Sequence, residues 1–126
     1  MTRVLVTGAC GFIGANLAKR LLEAGHEVYG MDVRRIGSLD ALQVHPTHFY
    51  VRSIEEPLDG VLRHAKPDIV VHLAAQAIVS EAQKKPVETF HTNVLGTVNV
   101  LDACRNANLP VIVASSDKAY GQGNAM

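Results

Sequence analysis

The chain has 126 residues, 48% of them hydrophobic, and its 12 basic and 12 acidic residues give a formal net charge of zero. This length allows one hydrophobic core, so we expect a single domain, or part of one. Because no basic run exceeds two residues and no apolar run reaches the length of a membrane span, we expect neither nucleic acid nor a membrane as partner, and a cytoplasmic location.

The first predicted strand, Val4 to Val6, leads directly into three regularly spaced glycines: Gly8, Gly11 and Gly14. Gly8 would let the chain turn sharply off the strand, Gly11 would let the backbone approach a pyrophosphate, and Gly14 would let a helix lie close to the sheet. This spacing after a strand is typical of a dinucleotide-binding turn, although a glycine-rich turn can also be purely structural.

A helix is predicted to follow the glycines and to end at Gly25. Its apolar residues recur at helical spacing: Ile13, Leu17 and Leu21. The unpaired N–H groups at its start and the positive end of its dipole would attract a diphosphate.

The second predicted strand, Glu27 to Met31, ends on Asp32. A carboxylate there can accept hydrogen bonds from a ribose 2′-hydroxyl and would repel a 2′-phosphate, which favours NAD over NADP. Arg34 and Arg35 follow closely and could neutralise a phosphate, so NADP stays open as the less favoured cofactor; the alternative for both arginines is a solvated loop.

Strand and helix patterns alternate along the rest of the chain, which predicts an α/β fold, a Rossmann-type doubly wound parallel sheet that is truncated after about its fifth strand. The predicted elements are a short helical turn at Leu39 to Leu42, a strand at His48 to Val51, a helix at Glu55 to Ala65 with Pro57 in its first turn, a strand at Asp68 to Leu73, a long helix at Pro86 to Asn106 and a strand at Val111 to Ala114. The apolar face of the long helix consists of Val87, Phe90, Val94, Val98 and Leu101.

The two cysteines, Cys10 and Cys104, lie in no CxxC motif and no histidine-containing cluster. This spacing predicts reduced thiols and no metal site. We expect Cys10 simply to fill space within the glycine turn.

Parallel strands bring their carboxyl ends to one edge, where ligands of such sheets bind. Three polar segments belong to this edge or to the helix beside it: His72-Leu-Ala-Ala-Gln76, Asn93-Val-Leu-Gly-Thr97 and Ser115-Ser-Asp-Lys-Ala-Tyr-Gly121. Together with the glycine turn they give TGxxGFIG, HLAA, NVxGT and SSxxxYG in that order. In this the chain resembles the NAD-dependent epimerase/dehydratase family of extended short-chain dehydrogenase/reductases, which act on nucleotide sugars, over essentially all of Thr2 to Gly121.

The resemblance implies cofactor-binding roles for many residues. The pyrophosphate would be held by Gly8, Gly11, Phe12, Ile13 and Gly14, the adenosine ribose by Asp32, and the nicotinamide half would lie along Leu73, Ala74, Ala75 and Gln76. Asn93 would be a buried amide that organises polar groups behind the site. Simple packing is the alternative for Ala74 and Ala75, and a satisfied core amide is the alternative for Asn93.

Ser116 matches the family's serine or threonine that hydrogen-bonds the sugar C4 oxygen, with Ser115 as the second choice. The following Asp117-Lys118 resembles 4,6-dehydratases, in particular those of the CDP-glucose type. Once C4 is a ketone, Asp117 would be the acid for the departing C6 hydroxyl and Lys118, if buried, the base for the C5 proton. A surface salt link is the alternative for this pair, and a 4-epimerase is the alternative activity.

Two departures from the family pattern are visible. Arg52-Ser53-Ile54 replaces the usual Gly-Asp-Ile/Leu after the third strand, so Ser53 would bind adenine more weakly than an acid. The family's Tyr-x-x-x-Lys is absent, because the residues four after the three tyrosines are Val33, Ile54 and Asn124.

We therefore expect this polypeptide to be the opening portion of such an enzyme and not to turn over substrate by itself. A cofactor-binding or partner-binding module without catalysis is the alternative. In the complete enzyme the resemblance implies a nucleotide-sugar substrate and a homodimer, with the helix from Val87 to Ala107 in a four-helix interface.

Overall fold

The computed structural model describes residues 1–121, apart from the side chains of Asp117 and Tyr120. Its five strands are β1 (Arg3–Thr7), β2 (Glu27–Asp32), β3 (His48–Val51), β4 (Ile69–His72) and β5 (Val111–Val113). All neighbouring strands are parallel, in the order β3-β2-β1-β4-β5. This order confirms the predicted Rossmann-type sheet. It puts the switch point, where the strand order reverses, between β1 and β4, and ligands of such folds bind there.

Six helices connect the strands: α1 (Phe12–Glu23), α2 (Ser38–Ala41), α3 (Asp59–Ala65), α4 (Val79–Lys84), α5 (Pro86–Phe90) and α6 (Thr97–Asn106). A π-helical turn (His91–Gly96) joins α5 to α6, and a 3₁₀ turn (Asp117–Tyr120) follows β5. Within residues 1–121, no helix is both long enough and apolar enough to cross a membrane.

The core has two layers, one on each face of the sheet, because successive strand residues point to opposite sides. In β1, Val4 and Val6 belong to the layer under α1, whereas Leu5 belongs to the layer under α3 and α6. Helices therefore cover both faces, as in a doubly wound fold.

The helix predicted from Glu55 begins four residues later, at Asp59. The carboxylate of Glu56 accepts a hydrogen bond of 2.7 Å from the N–H of Ser53, and the N–H of Glu56 donates back to the Ser53 carbonyl. This closed turn precedes Pro57, so the proline lies outside the helix. Helix α4 was not predicted. None of its residues is buried, so it has no apolar face whose spacing would mark a helix in the sequence.

The long predicted α-helix is interrupted by the π turn, which corrects that prediction. A Cβ atom on Gly96 would come within 2.6 Å of Ile54 Cδ1, so the helix lies unusually close to the chain after β3. The predicted apolar face of Val87, Phe90, Val94, Val98 and Leu101 is exposed. The buried side of α6 consists instead of Val100, Ala103 and Cys104.

Two helical glycines give opposite predictions for alanine substitution. At Gly60 in α3, a Cβ would meet no atom within 4 Å, so Gly60→Ala should stabilise the fold by roughly 0.5 kcal/mol through lower entropy of the unfolded chain. Gly96→Ala should destabilise it, by about 1–3 kcal/mol, because its Cβ overlaps Ile54. Urea unfolding of both variants measures this, and a shift of equal sign in both would contradict the close approach at Gly96.

Candidate functional site

The three glycines form a tight turn between β1 and α1. Gly8 has φ +70°, and a Cβ there would lie 2.7 Å from the amide nitrogen of Ala74. A Cβ on Gly14 would lie 2.9 Å from Ala9 Cα, inside the turn itself. Gly11 has extended backbone angles and is the N-cap residue of α1. Gly8 and Gly14 are therefore required by close contacts within the chain, whereas Gly11 leaves open the approach to the start of the helix.

The N-terminus of α1 is open to a ligand. Its N-cap makes no side-chain hydrogen bond, and no acidic residue lies in its first turn. Phe12 and Ile13 at its start are 78% and 64% exposed. The first amides of α1 thus present unpaired donors and the positive end of the helix dipole, the arrangement that binds phosphate groups.

Asp32 at the end of β2 lies beside this turn. Its Oδ2 accepts from the Cys10 N–H at 2.9 Å, and its Oδ1 accepts from the Val33 N–H at 2.8 Å. Two backbone bonds fix the plane of the carboxylate, and each oxygen keeps a lone pair for a further donor. A ribose diol is a ligand of this kind.

The loop after Asp32 is tied to the glycine turn through Cys10. The Cys10 thiol donates to the Arg34 carbonyl at 3.1 Å, and the Cys10 carbonyl accepts from the Ser38 N–H. Burial, with Asp32 nearby, raises the pKa of the Cys10 thiol, which keeps it in its donating form. Cys10 therefore does more than fill space. The Arg34 side chain is exposed, whereas the Arg35 guanidinium lies 5.6 Å from the centre of the Phe49 ring.

The segment after β4 runs past Gly8 and is held at its far end by Asn93. The Asn93 side chain makes a matched pair of bonds with the backbone of Gln76: it accepts from the N–H at 2.7 Å and donates to the carbonyl at 3.0 Å. Leu73, Ala74 and Gln76 are half-buried and Ala75 is exposed. Asn93 thus fixes the path of this segment from the π turn, and its amide is satisfied by doing so.

A buried histidine, His72, supports the near end of the same segment. It is 3% exposed and lies between two threonine hydroxyls: Nδ1 is 2.7 Å from Thr7 Oγ1, and Nε2 is 2.9 Å from Thr97 Oγ1. Burial lowers the pKa of His72, so the neutral ring is favoured. No role of its own was predicted for His72; the available signal was a histidine in an otherwise apolar strand, Ile69–His72.

The lowered pKa of His72 predicts a loss of stability in acid. The unfolded chain binds a proton near the ordinary value of 6.5, whereas the folded chain binds it at lower pH. The free energy of unfolding should therefore be constant above that value and fall as the pH drops below it towards the folded pKa. Urea titrations between pH 8 and about pH 5 measure this, and His72→Asn should remove that part of the slope. An unchanged slope in this variant would contradict the assignment.

The residues after β3 fold into a local turn rather than pointing as a group into the crevice. Ser53 Oγ accepts from the Glu55 N–H at 3.1 Å. The Ile54 side chain is 4% exposed and belongs to the core, so only its backbone is placed to touch a ligand. The Asn99 side chain on α6 bonds the carbonyls of Ile54 and Glu56 and holds the turn in place.

The serines after β5 lie at the same carboxyl edge of the sheet. Ser115, Ser116 and Lys118 are exposed, and Ser116 Oγ accepts from the Lys118 N–H at 3.2 Å as the cap of the 3₁₀ turn. The condition set for Lys118 as a base, burial of its side chain, is therefore not met in this structure. The side chain of Asp117 lies outside the described residues. Among residues 1–121, no group of three or more potential ligands is arranged for a metal ion.

Comparison with known proteins gives one family. The model of the NAD dependent epimerase/dehydratase family matches residues 4–126. A UDP-glucose 4-epimerase of Lactobacillus helveticus is 35% identical over 122 residues, which cover 94% of this chain and 37% of the relative. A CDP-glucose 4,6-dehydratase of Salmonella typhimurium is 36% identical over 129 residues, covering 94% of this chain and 35% of the relative. The chain thus spans little more than a third of these relatives.

A solved structure is similar over the whole chain. The crystal structure of UDP-glucose 4-epimerase from Brucella ovis in complex with NAD has a TM-score of 0.87 and 33% identity, and the match covers 100% of this chain and 39% of that one. The backbone of this chain is thus similar to that of a protein solved in complex with NAD. This similar region contains the strand order, the glycine turn and the acid after β2.

Proposed function

Because this chain belongs to the NAD-dependent epimerase/dehydratase family, we propose that it binds NAD across the carboxyl edge of β1, β2 and β4. One observation carries the proposal: the uncapped start of α1 and the carboxylate of Asp32 lie on either side of the same glycine turn. The first would hold the pyrophosphate and the second the adenosine ribose.

The remaining contacts follow from the same placement. The segment from Leu73 to Gln76, fixed by Asn93, would lie along the nicotinamide half. On the adenine side, Ser53 would offer a hydroxyl and Ile54 its backbone, in place of the acid found in the family. Arg34 is exposed near Asp32 and would lie at the rim of the ribose site.

We propose further that this site serves nucleotide-sugar chemistry, with 4,6-dehydration as the first candidate. NAD, when bound, would take the hydride from C4 and return it to C6. The proton of the C4 hydroxyl would pass to the tyrosine of the family's Tyr-x-x-x-Lys, which a complete enzyme would supply and these 126 residues lack. Ser116, or Ser115, would hold the C4 oxygen, Asp117 would protonate the departing C6 hydroxyl, and Lys118 would remove the C5 proton. The Asp117-Lys118 pair supports this candidate, as does the similarity to a CDP-glucose 4,6-dehydratase. Since Lys118 is exposed in this chain, bound substrate would have to cover it.

The second candidate is 4-epimerisation of a nucleotide sugar. Several of the similar curated proteins and the similar Brucella ovis structure carry the name UDP-glucose 4-epimerase. An epimerase needs the hydroxyl of Ser116 and the hydride exchange at C4, but no acid and base for elimination. Asp117 and Lys118 therefore carry the distinction between the two candidates.

We also propose a homodimer through the exposed apolar face of the helical stretch 86–106. Phe90 is 59% exposed there, and four further apolar side chains share the face: Val87, Val94, Val98 and Leu101. Exposed apolar side chains that cluster on a helical face mark protein–protein interfaces, and most homo-oligomers are two-fold symmetric dimers. Light scattering of Phe90→Glu against wild type tests the dimer, and an unchanged molar mass would contradict it.

Calorimetric titration with NAD tests the cofactor assignment, with NADP as comparison ligand. We expect NAD to bind more tightly, and absence of NAD binding by the folded chain would overturn the proposal.

The reaction is tested in a complete enzyme carrying this sequence. Asp117→Asn combined with Lys118→Met should keep C4 oxidation, seen as NADH absorbance, and abolish the loss of water seen by mass spectrometry. Unchanged elimination would overturn these roles of Asp117 and Lys118, whereas epimerisation without any loss of water by the unaltered enzyme would leave the epimerase candidate.

A further inference from the structure

The bonds around Thr7 determine which way its hydroxyl proton points. Thr7 Oγ1 accepts from the N–H groups of Leu73 at 3.2 Å and Ala74 at 3.3 Å. The Leu73 N–H is shared with the Thr7 backbone carbonyl, also at 3.2 Å, whereas the Ala74 N–H donates to the hydroxyl only. A hydroxyl oxygen has two lone pairs and one proton. With both lone pairs in use, the proton must go to the third neighbour, Nδ1 of His72, 2.7 Å away.

This direction fixes the state of His72. Nδ1 accepts the proton of Thr7, so it carries none of its own, and the neutral ring must carry its hydrogen on Nε2. Nε2–H then donates to Thr97 Oγ1, 2.9 Å away at the start of α6. The three side chains thus form a directed chain of bonds from β1 through β4 to α6.

The amides that Thr7 holds lie directly against the glycine turn. A Cβ on Gly8 would come within 2.7 Å of Ala74 N and 2.8 Å of the carbonyl carbon of Leu73, so the two backbones touch at van der Waals distance. Leu73 and Ala74 therefore cannot move towards Gly8 without displacing the phosphate-binding turn.

We propose that His72 is a positioning residue, which as the Nε2–H tautomer orients the Thr7 hydroxyl so that its lone pairs hold the Leu73 and Ala74 amides against the glycine turn. The effect on cofactor affinity rests on the proposed NAD site, because these amides border both its pyrophosphate and its nicotinamide halves. With a hydrogen on Nδ1, His72 would donate to Thr7 Oγ1 and compete with these amides for its lone pairs. The hydrogen bonds from the two amides to the Thr7 hydroxyl would then be weaker.

The tautomer is tested without any substitution. Chain labelled with ¹⁵N histidine should give, for His72 at pH 7, an Nδ1 signal in the unprotonated range and an Nε2 signal in the protonated range. The His72 signals are assigned by their loss in His72→Asn. An Nδ1–H tautomer, or a doubly protonated ring, would overturn the proposal.

Two substitutions distinguish the hydrogen bond between Thr7 and His72 from the hydrogen bond between His72 and Thr97. In His72→Asn, the side-chain oxygen takes the place of Nδ1 and keeps an acceptor for Thr7. In His72→Gln, the side-chain amide takes the place of Nε2 and keeps only the donor to Thr97. Hydrogen exchange at Ala74 should therefore be faster in the Gln variant and close to wild type in the Asn variant. Exchange at Leu73 should change less, because its N–H keeps the bond to the Thr7 carbonyl.

NAD affinity should follow the same order. We expect a loss of about tenfold for His72→Gln and little change for His72→Asn, because only the former releases the Thr7 hydroxyl that holds the Ala74 amide and shares the Leu73 amide. Equal exchange rates in the two variants would overturn the positioning role. If wild type binds no NAD, the proposed cofactor site fails, while the tautomer and the amide exchange still decide the role of His72.

Discussion

Alanine at Gly8 is expected to destabilise the fold by about 3–5 kcal/mol and to abolish NAD binding. Two costs add at this position. The φ angle of +70° is one that a residue with a Cβ adopts only with strain, and the Cβ would lie 2.7 Å from Ala74 N, a backbone atom that cannot rotate away. Urea unfolding gives the first quantity and calorimetric titration the second.

Gly25 is the matched control for this prediction. It has φ +83°, but a Cβ there would meet nothing within 4 Å. Gly25→Ala should therefore show the backbone strain alone, about 1–2 kcal/mol, and leave NAD affinity unchanged. The difference between the two variants measures the close approach of β1 and β4 at the site. Equal destabilisation at Gly8 and Gly25 would mean that this approach is looser than the structure shows.

Removal of the Asp32 carboxylate is expected to lower NAD affinity about 100-fold and to reduce the preference for NAD over NADP. Asp32→Ala removes a charged acceptor for the ribose hydroxyls and also frees the N–H groups of Cys10 and Val33. NADP should lose much less, because its 2′-phosphate would no longer meet a negative charge. Titrations with both cofactors give the ratio of affinities.

Asp40 provides the control for charge alone. It is an exposed carboxylate in α2, on the same side of the molecule, and it lies near enough to influence the Cys10 thiol. Asp40→Ala should leave the NAD to NADP ratio within about twofold of wild type, since screening weakens the effect of an exposed charge. An equal change of ratio in both variants would show that net charge, and not contact with the ribose, sets the preference.

The sheet was predictable because each strand has a local pattern. β3 was predicted at its observed bounds, His48–Val51, and the other strands to within one or two residues. The apolar runs of a parallel sheet are short, continuous and bounded by polar turns, and this local signal also locates the glycine turn and Asp32. The proximity of Asp32 to the turn follows from the strand order, which right-handed crossovers restrict.

Other features depend on contacts between distant residues, which no local sequence pattern specifies. The π turn relates to the contact of Gly96 with Ile54, and the role of His72 depends on Thr7, 65 residues away, and on Thr97. Asn93 was predicted to organise polar groups, but its pairing with the backbone of Gln76 required the coordinates. The role of base was predicted for Lys118 only if the side chain is buried; it is exposed, and burial at the end of a strand depends on what covers it.

The strand order also has a consequence for the kinetics of folding. The central strand β1 is made before its partner β4, and Val4 pairs in register with Ile69, 65 residues later in the chain. Until β4 emerges from the ribosome, one edge of β1 has no partner and Leu5 has only part of its core. Chains whose central contacts are so distant in sequence fold slowly, and their unpaired edges invite association in the meantime. The yield of native protein should therefore respond to growth temperature and to chaperones that hold nascent chains.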